Sequence, residues 1–576
     1  MATTIKFTGT TDISAYGSKE ISALTPADLA SFSKAQALIL TSDQMAGFSA
    51  TTLPALVNVF KNIPADAMSG IATKNIIGLT VKPITADQMK AFDSNQLNAF
   101  SAAQVAGLSK SQLLALEPDD VTNLNLANAT ISNVDSTLFD NLSNAQIAKL
   151  TSAQIAGLNA NQITAITADQ AAAFTAAQAP AFKALTGFDS TNVIPNLTAS
   201  FVAAIPSKTF SALSVGQLTA LTEEQIRALT STQVSSLTAV KVGSTGLGGA
   251  DLSQLTPAAL AGLTKTNITG LDIANLTGDN QFTALTSTQI GLLSTTQVPL
   301  ITADQAAVLT PTQAAGITAK QAPYIEAADL GALSPKAFAA LPADAIGALL
   351  DATNLQIQAI TPEQSALMTT AQAKALTGGV IDSLTTDAFV ALTPAALAAI
   401  PAEAIDNVTS TAFGNLSAAQ IAAMTPAQFA VLTANQLAEL TIAQTAAITS
   451  AQIKVLDGTD IAALTSDAIS ALSPAAISAI ATAAFDDIKN EAFGLFTPAQ
   501  IRAMTPAQVA AIDNGQAPYI GVDQANALTS AQFAKLTATS AKALSSDAIG
   551  ALSTAVVGSL KVDSYPALEA SDLTET

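Results

Sequence analysis

Leu150-Thr151-Ser152-Ala153-Gln154-Ile155 reads as the opening of a very short helix. Thr151 is a good N-cap, because its hydroxyl can accept a backbone N–H of the first turn. Gln154 stands at the third helical position, where its side chain can reach back to the Thr151 N–H and complete a capping box. Leu150 and Ile155 then occupy the two positions of a hydrophobic staple. Proline supports this register independently. Pro26, Pro257, Pro311, Pro335, Pro362, Pro394, Pro426, Pro474, Pro498 and Pro506 each follow a Thr or Ser directly. That is the first helical position, where a missing N–H removes no bond.

Outward from this stretch the phrase Leu-Thr-x-x-Gln-Ile-x-x recurs along the chain. From Ile360 to Leu560 an apolar residue falls on every eighth position, through Met368, Leu376, Met424, Leu432 and Phe496 among others. A second apolar stripe runs five residues further on, as Phe389, Leu397, Ile405 and Phe413. In one continuous helix, eight residues turn through about 800°, leaving each anchor roughly 80° from the last. No apolar face survives that drift, so the chain must break once per octad. A strand fails as well, since anchors five apart would face opposite ways. The period therefore predicts an all-α solenoid or superhelix of very short capped helices with an eight-residue repeat. Helices this short lie well below the ~12–15 residues needed for marginal stability in isolation, so stacking on neighbouring units must hold them. With two short helices per turn, stacked at roughly 8–10 Å, the expected shape is a long rod.

The pattern divides the chain. Residues 1–23 read as an N-terminal arm or cap, residues 1–20 carrying no octad. Residues 24–242 form an octad solenoid with phase slips, near 53–63, 79–84, 124–126 and 185–197. Residues 243–254, opening with Gly243-Ser244-Thr245-Gly246-Leu247-Gly248-Gly249, read as a hinge or loop. Residues 255–560 resume the solenoid, with slips near 271–285 and 349–360 and full regularity from 360. Residues 561–576 form an acidic tail. Larger blocks also repeat: Gln321-Ala322-Pro323-Tyr324-Ile325 returns as Gln516-Ala517-Pro518-Tyr519-Ile520.

Composition narrows the function. The 576 residues hold 43 acidic and 23 basic side chains, for a net charge of −20. Nucleic-acid binding rests on clustered Lys and Arg, so this balance argues against it. Cysteine, histidine and tryptophan are absent, which excludes disulfides, thiolate metal sites and His-based acid–base catalysis. Ser and Thr abound because they cap helices, and none stands out as a nucleophile. The expectation is a protein that is not an enzyme, with no catalytic or cofactor-binding residues. Acidic turns are the remaining metal candidates. Asp457-Gly458-Thr459-Asp460, Gly278-Asp279-Asn280 and Gly249-Ala250-Asp251 offer Asp457, Asp460, Asp279 and Asp251 as oxygen ligands for calcium. None has EF-hand spacing, and the same turns read more readily as solvated Asx caps. No run of ~18 apolar residues is long enough to span a membrane as a helix, and no N-terminal signal peptide is expected.

Two resemblances attach to these motifs. Leu-Thr-Pro-Ala-Gln-Val/Ile, as in the octads around Pro498 and Pro506, resembles the opening of each TAL-effector repeat. The period of eight and the acidic charge depart from that pattern, so DNA binding is not carried over. The stretch 24–560 more closely resembles the bacterial LTxxQ(I/V) octad-repeat proteins, often described as surface or adhesin-like. That resemblance implies an extracellular or cell-surface setting, with attachment to the cell surface, and an acidic, Cys-free repeat chain without an N-terminal signal separately resembles substrates of type I secretion. Together these readings predict a structural repeat protein that self-associates into a surface filament, layer or adhesive stalk. The other reading is a soluble α-solenoid scaffold or secreted effector that binds a protein or peptide.

Overall fold

In a computed structural model the described residues are 7–117, 120, 124, 136–140, 142–250, 252–349 and 355–559. The acidic tail 561–576 and Asp251 lie outside them, as does the side chain of Asp279. Among the described residues all regular structure is helical, with no strand. The octad-repeat solenoid expected from the period is the fold observed.

Each octad builds the same element. Thr151 is extended (φ −72°, ψ 160°), and the helix Ser152–Ala156 follows it for five residues. Leu150 and Ile155, the staple pair, are both buried. Where Pro occupies the first position the result is alike: Thr497 precedes the six-residue helix Pro498–Ala503, and Thr505 precedes the five-residue helix Pro506–Ala510. Both anchor stripes face inward along the coil, so Leu397, Ile405, Phe413, Ile421 and Phe429 are core residues, as are Leu392, Ile400, Leu416 and Met424.

The chain divides into two compact units, Met1–Leu276 and Thr277–Thr576. Within the second, the helix Thr370–Lys374 packs on Pro394–Ala399, which in turn packs on Ala418–Ala423. Within the first, Ala86–Lys90 packs on Lys110–Ala115, and Ala199–Ala204 on Glu223–Arg227. Helices three octads apart are thus neighbours, and between three and four octads complete a turn. This corrects the expected two helices per turn. The reason is local. Two helices per turn require a chain reversal at every break. Here only two extended residues separate successive helices, for example Met424 (φ −58°, ψ 144°) and Thr425 (φ −77°, ψ 155°), and they bend the path by less than that.

Several phase slips among the described residues coincide with changes of helix type, while the slip near 124–126 lies almost wholly outside the described residues. Around the first slip the coil continues through the 3₁₀ segments Leu53–Leu56, Phe60–Asn62, Ala65–Gly70 and Thr73–Gly78. At another, Gly278–Phe282 forms a π-turn, and the Thr277 N–H donates to Gln281 Oε1 four residues on rather than three, at 3.0 Å. A slip in the stretch 349–360 places Leu355 at φ 51°, in the left-handed region.

Two expected boundaries differ. Residues 7–16 form part of the coil, with Phe7 stacked on Phe32 at 5.5 Å and Ile13 fully buried. The second stripe in fact runs back through Ile21 to Ile13 in the octad register, although the first stripe does not. The Gly-rich segment lies inside the first unit. Val242, Leu247 and Leu252 are buried there, and Leu247–Ala250 is helical. At Gly246 a Cβ would stand 2.1 Å from the Lys241 carbonyl oxygen, so glycine is required by the tightness of that turn.

Candidate functional site

The side chain that organises this molecule is the glutamine of the repeat. Gln428 is representative and almost completely buried, at 1% exposure. Its Oε1 accepts the Thr425 N–H at 2.8 Å, while Thr425 Oγ1 accepts the Gln428 N–H at 3.2 Å, which closes the capping box. Its Nε2 then donates both protons to the preceding turn of the coil, to the carbonyls of Leu397 and Ile400, each at 2.8 Å. Those acceptors lie 31 and 28 residues back. One amide therefore caps its own helix and ties it to the turn below.

The same bridge recurs with near-constant geometry. In the second unit, Gln436 reaches Ile405 and Val408, Gln452 reaches Ile421 and Met424, and Gln508 reaches Ile477 and Ile480. In the first, Gln88 reaches Phe60 and Ile63, and Gln225 reaches Ile194 and Leu197. Gln36 and Gln44 reach the carbonyls of Thr8, Thr11, Ile13 and Tyr16, and so incorporate the N-terminal segment into the coil. Asn267 and Asn75 stand in for glutamine and still reach the turn below, at Val234 and Phe48, each at 2.9 Å.

The sequence reading gave this residue only its capping half. A signal for the other half was available. Glu completes a capping box as well as Gln does, yet the chain writes Gln at this position again and again. A carboxylate accepts only, whereas the amide also donates two protons. That preference is the mark of a buried donor requirement.

The bridges are not uniform along the chain. The third helical position is Ala at 388, 396, 404 and 412, Gln at 420, 428, 436, 444 and 452, Ala again at 468, 476, 484 and 492, and Gln again from 500 to 532. The helices with Ala388, Ala396, Ala412, Ala468 and Ala476 keep the Thr or Ser cap, as Thr385 does by accepting the Ala388 N–H at 3.2 Å, whereas those with Ala404, Ala484 and Ala492 have no side-chain cap. They send no amide to the turn below.

Turns also approach closely through glycine. A Cβ on Gly316 would stand 2.1 Å from the Ser287 carbonyl oxygen, and one on Gly70 would stand 1.7 Å from that of Ser42.

Of the calcium candidates, Asp457 and Asp460 are brought together as a capping box. Asp457 Oδ1 accepts the Asp460 N–H and Asp460 Oδ2 accepts the Asp457 N–H, both at 3.0 Å. Burial pushes the Asp460 carboxyl up from its ordinary value, the Asp457 N–H opposes this, and the Asp457 charge adds to it. Among the described residues, no three acidic side chains are grouped to hold a metal ion. No helix among them is long and apolar enough to cross a membrane. On the surface, Tyr324 is half exposed beside Pro299, Pro323, Glu326 and Ala327, which line an open groove of about 390 Å³. Tyr519, in the second copy of the Gln-Ala-Pro-Tyr-Ile sequence, is exposed to the same degree.

With this geometry in hand, comparison with known proteins adds one family. The ALTTAQ repeat matches residues 202–239, a short window inside the first unit that includes the bridging Gln217, Gln225 and Gln233. No curated protein matches the chain. Among solved structures, a homology model of the full-length AP-3 complex in an intermediate open conformation is 12% identical, covers 93% of this chain and 95% of its own, and has a TM-score of 0.15. The crystal structure of the pentatricopeptide repeat protein PPR10 with an 18-nt psaJ RNA element is 12% identical, covers 94% and 89%, and has a TM-score of 0.18. Neither likeness carries an argument about this chain. The chain is an α-helical repeat protein with a segment that matches the ALTTAQ repeat.

Proposed function

We propose that this chain is a structural repeat protein, built as an extended support that self-associates at a cell surface or outside the cell. The observation that supports the reading is where the polar chemistry is spent. The recurrent buried polar side chain is an amide whose donors and acceptor are all engaged in holding turn to turn, so the repeat invests in continuity. The outer face is left to Ala, Ser and Thr with few charges, a surface suited to many weak lateral contacts between copies.

Electron microscopy of the purified protein at micromolar concentration tests the reading, with filaments or sheets as the expected result. Uniformly dispersed monomers over a range of salt and calcium concentrations would refute it. A second reading, a binding scaffold for a protein or peptide, is favoured by the Pro299–Pro323–Tyr324 groove, because exposed Tyr against Pro offers a flat amphipathic platform. Under that reading, the protein stays monomeric and a Tyr324→Ala variant loses a stoichiometric partner.

A further inference from the structure

One octad places a carboxylate at the buried third helical position. Ile325-Glu326-Ala327-Ala328-Asp329-Leu330 places Asp where Gln stands elsewhere, at the third position of the helix Ala327–Ala332. Asp329 is 5% exposed, and its Oδ2 is buried with no hydrogen-bond partner. By the 28- and 31-residue offsets of its neighbours, its slot faces Ile301 and Val298 on the turn below. Gln321 fills the adjacent slot, on the carbonyls of Ile290 and Leu293 at 2.8 and 2.9 Å. Aspartate is one methylene shorter than glutamine, and a small cavity of about 20 Å³ lies in front of it. Val298, Ile301, Ala306, Leu309, Ile317, Ile325 and Leu333 enclose that cavity with Asp329.

A carboxylate in this slot meets two carbonyl oxygens and an apolar wall, and all of them disfavour its charge. A neutral carboxyl carries one O–H and can donate it toward the carbonyl pair, as the amide does in other octads. We propose that Asp329 is a proton-operated latch between two successive turns, closed when protonated and released when ionised. The packed surroundings agree with this. Glu326 on the same helix is an exposed carboxylate, as are Asp304 on the helix below and Glu363 on the helix above. The helix below, Ala303–Ala307, packs directly against Ala327–Ala332. The helix above is tied on by Gln364, which donates to the carbonyls of Leu330 and Leu333. Burial, with Glu326 second, pushes the Asp329 carboxyl up from 3.8 to about 6.

The sign follows from linkage. The folded value lies above the unfolded one, so the latch is fully closed below pH 4 and is lost as pH rises through about 6. A shift of about two pKa units corresponds to roughly a 100-fold rise in local opening between those limits.

Hydrogen exchange of the full chain, corrected for intrinsic rates and followed from pH 4.5 to 8, reads this directly. Segments 298–309 and 326–333 should lose protection by roughly 30-fold across that range, because pH 4.5 already lies above the unfolded value, while 397–429, held by Gln428, stays flat. Asp329→Gln and Asp329→Asn should both flatten the response, and the Gln variant should be the more protected at pH 7.5. Protection at 298–309 and 326–333 that does not change with pH would overturn the proposal. So would an undiminished pH response in the Gln variant.

Discussion

Replacing Gln428 by Ala should be among the most damaging polar substitutions in this protein, although no charge, metal or catalytic group is involved. The change removes three hydrogen bonds of 2.8 Å from a residue that is 1% exposed. Their partners do not fare equally. The Leu397 carbonyl also accepts the Ile400 N–H at 3.2 Å and keeps one partner. The Thr425 N–H and the Ile400 carbonyl lose the amide that faced them. A net hydrogen bond is worth about 1 kcal/mol, and an orphaned buried group costs about 1–3 kcal/mol. The expected loss is therefore about 3–5 kcal/mol. Thr425→Ala removes only the cap contact and should cost about 1 kcal/mol. Gln524 supplies an internal scale, because it is only partly buried and reaches the Gly494 and Phe496 carbonyls at 3.1 Å. Its Ala variant should fall between the two. Urea unfolding followed by circular dichroism gives the ranking, and hydrogen exchange at 397–400 and 425–429 shows whether the loss is local. If Gln428→Ala proves no worse than Thr425→Ala, the inter-turn bridge contributes nothing and the account of the fold is wrong.

Other substitutions probe the remaining features. Gly316→Ala should cost about 1–3 kcal/mol, because its Cβ would collide with the Ser287 carbonyl oxygen at 2.1 Å and the turns must separate; thermal melts check this. Ser365 sits fully buried at a second-stripe position with an unpartnered hydroxyl, whereas Thr445 at the equivalent position donates to the Thr441 carbonyl at 3.0 Å. Ser365→Ala should therefore stabilise by about 1 kcal/mol, and Thr445→Ala should not. Ala434, exposed at the first position of its helix after an extended Thr433, accepts proline without strain. Ala434→Pro should raise stability by about 0.4–1 kcal/mol. Leu355→Gly should gain about 1 kcal/mol by relieving a left-handed leucine (φ 51°), read as a higher urea midpoint.

What could be read from the residues was the part governed by local chemistry. Thr151, Gln154 and the ten prolines define where each helix starts, because capping and the first-position rule act within four residues. The two apolar stripes define what faces inward. The number of octads per turn was not legible, because it depends on how far extended pairs such as Met424-Thr425 bend the path, and many bends are sterically open to them. The second task of Gln428 escaped for a related reason. Its acceptors, Leu397 and Ile400, contribute backbone carbonyls, which leave no trace in side-chain identity. Asp329 shows the reverse case. It breaks a pattern that was already visible, but its slot acquires meaning only once the turn below is known.

The alternation of Ala and Gln at the third helical position has a mechanical consequence. Where Gln420 to Gln452 sit on the turn below, separating the two turns means breaking a ladder of buried amides as well as parting apolar side chains. Where Ala388 to Ala412 or Ala468 to Ala492 sit, that ladder is missing and the apolar contact carries most of the resistance. Under an applied stretching force the amide-free seams part first, and the amide-bridged stretches stay intact until the load climbs further. The protein would lengthen in instalments rather than rupture at one threshold, with the spacing of those yield points written into its sequence.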